Sequence, residues 1–348
     1  MSNKYSKYKI VWFPDKLKSL RENKITAPIY IRVKFFNQCN NNCFFCAYRK
    51  DVSGMHKNMK YIDCMPRKKM IQFLSDCNKM GVKAITFSGG GEPLIYPYIE
   101  EALKLTNSYG IDSSIITNGL ALEGNKAKLL KDAKWVRVSV DYYTAAGYAK
   151  SRRIKKDNFY KVVKNIYDFD KIRTGDLELN YIVHKDNYKD IYKSVKFWKS
   201  IDVDNIRFCP AWFPNFFEYH KDIYPVFKKQ YKKALKLQTK KFTIGESFTK
   251  EFEGGGNINR MYKKCNMMQI LPVVGADCNV YACHNKAYDK TGIIGSIKNQ
   301  SFKKMWFSKK THKFFNSFNP CKLCKHQCTN DAKNILINDI LDSNDNFI

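Results

Sequence analysis

The sequence predicts an α/β protein built on a parallel sheet of six strands, followed by a small cysteine-rich C-terminal domain. Three observations support this. Short β-branched or aromatic runs alternate with helical patterns between residues 29 and 209, polar motifs follow the first four runs, and six cysteines gather between residues 265 and 328. Alternating strands and helices favour parallel pairing through right-handed crossovers. In such sheets, functional groups gather at the carboxyl ends of the strands.

Each element is predicted by its own periodicity. The first strand, 29–36, has apolar side chains at alternate positions. Its apolar face holds Ile29, Ile31, Val33 and Phe35, and its other face holds Arg32 and Lys34. A helix then begins near Pro66 and ends at Gly81. Its apolar residues are Met70, Phe73, Leu74 and Cys77. Later strands are predicted at AITFS, SSIIT, WVRVSV, LELNYIV and NIRFC, with helices at 97–110, 124–133, 157–169 and 188–201.

The chain is expected to divide into four segments. These are an N-terminal extension (1–28), the α/β core (29–210), an aromatic and basic helical connection (211–256) and the cysteine-rich domain (257–348). The sequence EGGGN at 253–257 is the best candidate for a linker. The last segment has little apolar core of its own, so we expect bound metal to help it fold.

The composition bears on which partners and which cellular location the protein can have. The net charge is +30, which suits nucleic acid, phosphorylated or acidic partners, but the lysines are scattered and no RNA-binding signature accompanies them. We interpret most of them as solvated surface. No apolar run reaches the ~18 residues of a membrane span, and the N-terminus does not resemble a signal peptide. We therefore expect a cytoplasmic protein whose twelve cysteines include metal ligands.

Cys39, Cys43 and Cys46 form a CX3CX2C loop directly after the first strand. Closed structural sites use four protein ligands. Three thiolates on one loop would leave one iron of a four-iron cluster open to a ligand from outside the protein. The alternative interpretation of this loop is half of a zinc site.

Further motifs follow the next three strands: FSGGGEP at 87–93, ITNG at 116–119 and VSVD at 138–141. With the CX3CX2C loop, they resemble the radical S-adenosylmethionine (SAM) enzymes over roughly residues 25–210. The resemblance implies a partial (β/α)6 barrel and a [4Fe–4S] cluster whose open iron binds SAM. Reductive cleavage of SAM then gives methionine and a 5′-deoxyadenosyl radical, which abstracts a substrate hydrogen.

The resemblance also implies which residues contact SAM. Those assigned to its methionyl amino group are Gly90, Gly91 and Glu92. Those assigned to its ribose and methionine are Asn118, Ser139 and Asp141. Arg152 or Arg153 is assigned to its carboxylate, with Arg152 as the first choice. Taken alone, the glycines could form an ordinary turn, and Asp141 could cap the following helix.

In the tail, Cys265 and Cys283 flank a predicted β-hairpin that turns near residues 275–277, and Cys321, Cys324 and Cys328 form CX2CX3C. This resembles the SPASM/Twitch extension of radical SAM enzymes, which binds auxiliary [4Fe–4S] clusters. Cys278 stands where that family has a glycine, and no cysteine follows Cys328. Six thiols are too few for two complete clusters. We therefore expect one auxiliary cluster, held by Cys265, Cys283 and two of the last three cysteines. Zinc bound near Cys324, His326 and Cys328 is the alternative.

The resemblance implies an oxidoreductase, dehydrogenase or epimerase acting on a peptide or a small sugar-like molecule, with an electron donor such as flavodoxin or ferredoxin. Cys209 ends the sixth strand and is either a hydrogen-atom donor of an epimerase or a core residue. The alternative function is a zinc-dependent nucleic-acid-binding protein, which the charge and the CX2C-type spacing favour. That alternative does not explain the GGE motif or the order of the strands, so nucleic acid is not the expected partner.

Overall fold

The computed structural model describes residues 6–53, 55–254, 260–324 and 328–343. Ten strands form one sheet in this part of the chain. They are β1 (Tyr30–Lys34), β2 (Ala84–Phe87), β3 (Asp112–Thr117), β4 (Trp135–Ser139), β5 (Asp176–Val183), β6 (Asn205–Pro210), β7 (Thr243–Glu246), β8 (Val273–Gly275), β9 (Asn279–Tyr281) and β10 (Ile293–Ser296). Their spatial order is β10-β9-β8-β1-β2-β3-β4-β5-β6-β7.

Helices connect the strands and cover the sheet. They are α1 (Pro14–Arg21), α2 (Lys50–Ser53), α3 (Arg67–Lys79), α4 (Ile99–Ser108), α5 (Gly124–Leu130), α6 (Ala145–Arg152), α7 (Asp157–Asp170), α8 (Ile191–Lys199), α9 (Phe216–His220), α10 (Ile223–Leu235), α11 (Phe248–Glu253), α12 (Met267–Ile270), α13 (Phe302–Trp306), α14 (Lys309–Ser317), α15 (Pro320–Leu323) and α16 (Asp331–Asp342). Short 3₁₀ turns lie at Lys7–Trp12, Pro93–Ile95, His284–Lys286 and Lys290–Gly292.

The six predicted core strands are confirmed. Strands β1 to β6 are parallel, and each pairs with the next along the chain. This is the partial (β/α)6 barrel that the sequence predicted. Its helix-facing side is apolar: Ile31 and Val33 of β1 are buried, as are the predicted apolar residues of α3. Its inner side is polar. There Arg137 of β4 lies 2.5 Å from the Glu178 carboxylate of β5.

The C-terminal segment joins the same sheet. Strand β8 pairs in parallel with β1, and β9 turns back antiparallel to β8, which confirms the predicted hairpin. Helix α13 attaches the segment to the core, because Trp306 donates its indole N–H to the Thr26 carbonyl at 2.9 Å and Phe302 packs edge-on against Phe73 of α3. Strand β1 is therefore paired with one strand of the core, β2, and one strand of the C-terminal segment, β8.

Strand β7 was not predicted. It extends the parallel sheet beyond β6, inside the segment that the sequence analysis took as a helical connection. Its sequence, TIGE, has only Ile244 buried, so no alternation reveals a strand. The basic helix predicted after the aromatic segment is confirmed as α10. Most of the candidate linker at 253–257 lies outside the described residues. None of the helices described is long and apolar enough to cross a membrane.

Candidate active site

The CX3CX2C loop is held above the carboxyl edge of the sheet by the end of helix α6. The Asn42 N–H donates to the Arg152 carbonyl at 2.9 Å, and the Phe44 N–H donates to the Ser151 carbonyl at 3.2 Å. The last carbonyls of a helix have no partner within it. The N–H groups of the cysteine loop bond these helix carbonyls, and the same hydrogen bonds fix the backbone of the loop.

The glycine turn supports the loop from the other side. The Gly91 N–H donates to the Phe36 carbonyl at 3.1 Å, and the Glu92 N–H donates to the Gln38 carbonyl at 2.9 Å. A Cβ on Gly91 would overlap the backbone of Gln38, and one on Gly90 would overlap the side chain of Asn37. These glycines therefore make room for the segment that leads into the cysteine loop. Their assignment to the methionyl amino group of SAM stays a prediction.

The three loop thiols are neighbours in a mostly buried setting. Burial, with the Glu92 carboxylate adding to it, raises the pKa of Cys39 to about 11, and burial raises the pKa of Cys43 to about 12. The pKa of Cys46 is also raised by burial, although backbone N–H groups of Tyr48 and Arg49 donate to its sulfur and oppose the rise. The Asn41 N–H lies 3.4 Å from the Cys39 sulfur. Such N–H···S contacts stabilise thiolates and tune iron–sulfur clusters.

Glu92 is buried and bonded to the protein itself. Its carboxylate accepts from the Leu94 N–H at 3.0 Å, from the Thr117 hydroxyl at 2.6 Å and from the Asn118 N–H at 2.7 Å. Burial raises the pKa of Glu92, and these hydrogen bonds oppose the rise. The carboxylate therefore ties the end of β2 to the end of β3.

Asn118 connects β3 to the cysteine loop. Its amide nitrogen donates to the Asn40 side-chain oxygen at 2.6 Å and lies 3.9 Å from the Cys39 sulfur. Its side-chain oxygen accepts from the Leu120 N–H at 3.0 Å. Asn118, a predicted SAM contact, thus lies next to Cys39, the first cysteine of the loop.

Arg152 and Asp141 form a fully buried ion pair. Asp141 has a left-handed φ of +53°, and its other carboxylate oxygen accepts from the Ile182 N–H at 2.8 Å. Burial lowers the pKa of Arg152, but Asp141, Tyr148 and Cys43 together outweigh it, and the pKa of Arg152 is raised. The buried Nε of Arg152 has no acceptor among the described residues. Arg153, the other candidate, is exposed.

Ser139 and Cys209 lie at the mouth of the inner face of the sheet. Ser139 ends β4 beside Asn180 of β5, and the Cys209 sulfur lies 3.5 Å from the Asn180 side-chain oxygen. On the opposite face, Phe208 packs against Phe227 of α10. Burial raises the pKa of Cys209, so its sulfur keeps its proton at neutral pH. The structure places Cys209 toward the inside of the barrel.

Four thiols of the C-terminal segment converge. They are Cys265, Cys283, Cys324 and Cys328. After burial as the first cause, Cys328 and Cys324 raise the pKa of Cys265 and of Cys283, and Cys328 raises that of Cys324, on which Cys321 also acts more weakly. Cys265 accepts from the Asn334 side-chain amide at 3.3 Å, and Cys328 from the Asn330 N–H at 3.4 Å. A cavity of about 520 Å³ opens beside Cys283, Cys324 and Cys328.

The two remaining tail cysteines are placed differently. Cys321 is exposed, and its sulfur faces the Arg260 and Tyr262 carbonyls at 3.8 and 3.5 Å. Cys278 is buried in the hairpin turn with φ at +61°, a conformation that glycine adopts without strain. This explains why the resembling family has a glycine at that position. His326, part of the zinc alternative, lies outside the described residues.

The donor sets fit iron–sulfur clusters. The loop offers three thiols and the tail offers four, and the hydrogen-bond donors around them are amides. Within the described ranges, no three ligand side chains lie close enough together to hold a single metal ion.

Sequence reasoning missed three residues between the two cysteine groups. Lys34 is fully buried, and its ammonium donates to the Tyr48 hydroxyl and to the Gly89 carbonyl. The Tyr48 oxygen lies 3.4 Å from Nδ1 of His284. The alternation of β1 correctly placed Lys34 opposite the core, but nothing local indicated its partners.

Comparisons with known proteins agree with this arrangement. The sequence model of the Radical SAM superfamily matches residues 33–197, and that of SPASM, an iron–sulfur cluster-binding domain, matches residues 265–329. An S-adenosylmethionine-dependent nucleotide dehydratase of Lacinutrix mariniflava is 25% identical over 58% of this chain and 46% of its own length. A probable GTP 3′,8-cyclase of Methanocaldococcus jannaschii is 29% identical over 61% of this chain and 69% of its own. The chain thus spans less than half of the dehydratase.

Among solved structures, Streptococcus suis SuiB bound to its precursor peptide SuiA superposes with a TM-score of 0.65. The superposition covers 90% of this chain and 75% of SuiB at 15% identity, so it supports the fold.

The placement of the tail cysteines predicts the iron content of their variants. In anaerobically reconstituted protein, Cys265→Ala, Cys283→Ala, Cys324→Ala and Cys328→Ala should each lose about four irons, because each removes a cluster thiolate. Cys278→Ala and Cys321→Ala are the matched controls and should keep them. Iron and sulfide analysis checks this. Equal iron loss in Cys321→Ala would contradict the four-cysteine assignment.

Proposed function

From a chain that carries a radical SAM domain and a C-terminal SPASM iron–sulfur domain, we propose an enzyme that cleaves SAM reductively and abstracts a hydrogen atom from its substrate. The observation that carries the proposal is the loop of Cys39, Cys43 and Cys46, held over the carboxyl edge of a parallel sheet by hydrogen bonds to α6 and to the glycine turn. When bound there, a [4Fe–4S] cluster with SAM supplies the electron and the 5′-deoxyadenosyl radical that start the reaction.

The surrounding side chains would orient SAM. Arg152 is held rigidly by Asp141 and has a buried Nε without an acceptor in the described part of the chain, which suits it to bind the SAM carboxylate. Asp141 then acts as a positioning residue. Glu92 holds the ends of β2 and β3 in place, so its effect on the methionyl amino group works mainly through Asn118 and the glycine turn.

The tail thiols would hold one auxiliary cluster. Cys265, Cys283, Cys324 and Cys328 supply four ligands, which closes the cluster and gives it a structural or electron-transfer role. The low-potential electron for SAM cleavage would come from a donor protein such as flavodoxin or ferredoxin.

Two substrate classes have support. The dehydratase and cyclase relatives are named for nucleotides, whereas SuiB is a structural neighbour bound to a peptide. The sequence relatives are the more similar in sequence to this chain, and the inner face of the sheet is cationic at β1. A phosphorylated small molecule is therefore the first candidate, and a peptide is the second.

The outcome for the substrate radical depends on the groups at the barrel mouth. An electron acceptor there gives net oxidation. A thiol gives epimerisation: the Cys209 S–H bond breaks as a new substrate C–H bond forms, and the sulfur radical left behind takes one electron from the reductant and a proton from solvent. Cys209 faces inward as a protonated thiol, as such a donor must.

Loss of any loop cysteine should abolish SAM cleavage. With dithionite, the reconstituted wild type should form 5′-deoxyadenosine, measured by chromatography. Cys39→Ala, Cys43→Ala and Cys46→Ala should form none while keeping the iron of the tail, because two thiolates do not hold the open-site cluster. Cys64→Ala, whose thiol is outside both groups, is the control. Full cleavage by any loop variant would contradict the proposed SAM site.

The role of Cys209 is tested with the identified substrate in deuterated water. If Cys209 donates hydrogen, the product should carry one solvent deuterium, and Cys209→Ala should stop turnover while SAM cleavage continues. A product two hydrogens lighter, formed equally well by Cys209→Ala, would identify a dehydrogenase and remove Cys209 from the mechanism.

A further inference from the structure

The inner face of β1 carries two cations that the SAM site does not use. Arg32 and Lys34 are two residues apart on the same face of the strand, which separates their Cα atoms by about 7 Å. Lys34 is fully buried and is held by the Tyr48 hydroxyl and by the Gly89 carbonyl, the latter at 2.5 Å. Its position is therefore fixed by neutral acceptors and not by a carboxylate.

Arg32 has no such partners. Its side chain is half-buried, and its buried Nε has no acceptor among the described residues. A buried charged donor without an acceptor is costly and is rare in folded proteins. The guanidinium is therefore suited to an acceptor that comes from outside the chain.

His284 adds a neutral donor next to these cations. The Tyr48 hydroxyl accepts from Lys34, so its own hydrogen is free to go to Nδ1 of His284, 3.4 Å away. The other ring nitrogen of His284 then carries the remaining hydrogen, and no acceptor for it is found in the described part of the chain. His284 is exposed, so this N–H is accessible to a ligand from outside the chain.

Arg32, Lys34 and His284 lie close enough to act on one another, and Cys46 is the anionic group that acts on Lys34. Burial lowers the pKa of Lys34 and of His284, and the charge of Arg32 lowers both further. The nearest acid that acts on the neighbouring His56 is Asp289, whose carboxylate is already 3.0 Å from the Lys286 ammonium. The unpaired Nε of Arg32 is therefore the donor on which binding of a ligand at this place depends.

The group also has a defined place. Tyr48 follows Cys46 of the loop by two residues, and His284 follows Cys283 of the tail directly. Their contact therefore joins the two thiol groups. A ligand held at Arg32 would lie between the SAM site and the auxiliary cysteines, where a substrate of the proposed enzyme would have to be.

We propose that Arg32, Lys34 and His284, the β1 anion site, bind a phosphate group of a phosphorylated small-molecule substrate. This rests on the proposed function and deepens it by naming the substrate class. The planar guanidinium of Arg32 bonds two phosphate oxygens at once, Lys34 is the neighbouring amine on the same face of the strand, and His284 donates a further N–H. A peptide backbone offers only neutral amide oxygens and leaves the charge of Arg32 uncompensated.

Binding is measured by calorimetry on the reconstituted holoenzyme with SAM and without reductant, using pyrophosphate, GTP and guanosine as probes. Pyrophosphate and GTP should compete with each other for binding, and the affinity for both should fall as the salt concentration rises. Guanosine should not bind. Arg32→Gln should weaken both anions about ten-fold or more, because the bidentate charged contact is lost. Arg32→Lys, which keeps the positive charge, should lose less affinity for both anions than Arg32→Gln does. Arg67→Gln, the same change at an exposed arginine outside both sites, should bind as the wild type does.

Three results would overturn the site: no pyrophosphate or GTP binding by the wild type, guanosine binding as tightly as GTP, or Arg32→Gln binding as tightly as the wild type. The site would also be overturned if the wild type bound an acidic peptide but neither pyrophosphate nor GTP. If Arg32→Gln does not fold, the wild-type competition and salt series decide. SAM cleavage by the wild type is assayed separately, so failure of phosphate binding with intact cleavage refutes the anion site alone.

Discussion

Strand β1 is hydrogen-bonded on both edges, and both cysteine groups depend on it. It pairs in parallel with β2, where Val33 faces Phe87, and with β8, where Val33 faces Val274. The cysteine loop leaves its carboxyl end, while β8 begins the hairpin that leads to Cys283. Because side chains alternate along a strand, a slip of one residue would turn Arg32 and Lys34 into the apolar core. The register of β1 therefore sets the position of both groups and the charge between them.

The sequence was informative wherever local periodicity and strand order decide the structure. The six core strands, the apolar face of α3 and the hairpin at β8 and β9 follow from alternation and helical spacing. It could not show long-range partners. Nothing local indicates that Asp141 is bonded to Arg152, that Gly91 packs on Gln38, or that Cys321 stands apart from the other tail cysteines. Strand β7 was missed because only one of its residues is buried, and pairing with β6 alone defines it.

The polar inner face is costly for stability. The Arg152–Asp141 pair is fully buried and Arg137–Glu178 nearly so, and removing such charges from water opposes folding even when they are paired. Apolar residues of similar size would stabilise the sheet at least as well. These buried charges are explained if the barrel binds the carboxylate of SAM and an anionic substrate. Cys209 and Asn180, on the same face, then belong to the reaction space and not to the core.

The central claim is that the loop of Cys39, Cys43 and Cys46 holds a cluster with one iron left for SAM. Mössbauer spectroscopy of the reconstituted protein, before and after adding SAM, tests this directly. The account predicts that one iron of the loop cluster changes its isomer shift when SAM binds, while the irons of the tail cluster do not change. A spectrum in which SAM alters no iron, or alters only the irons lost in Cys283→Ala, would contradict it.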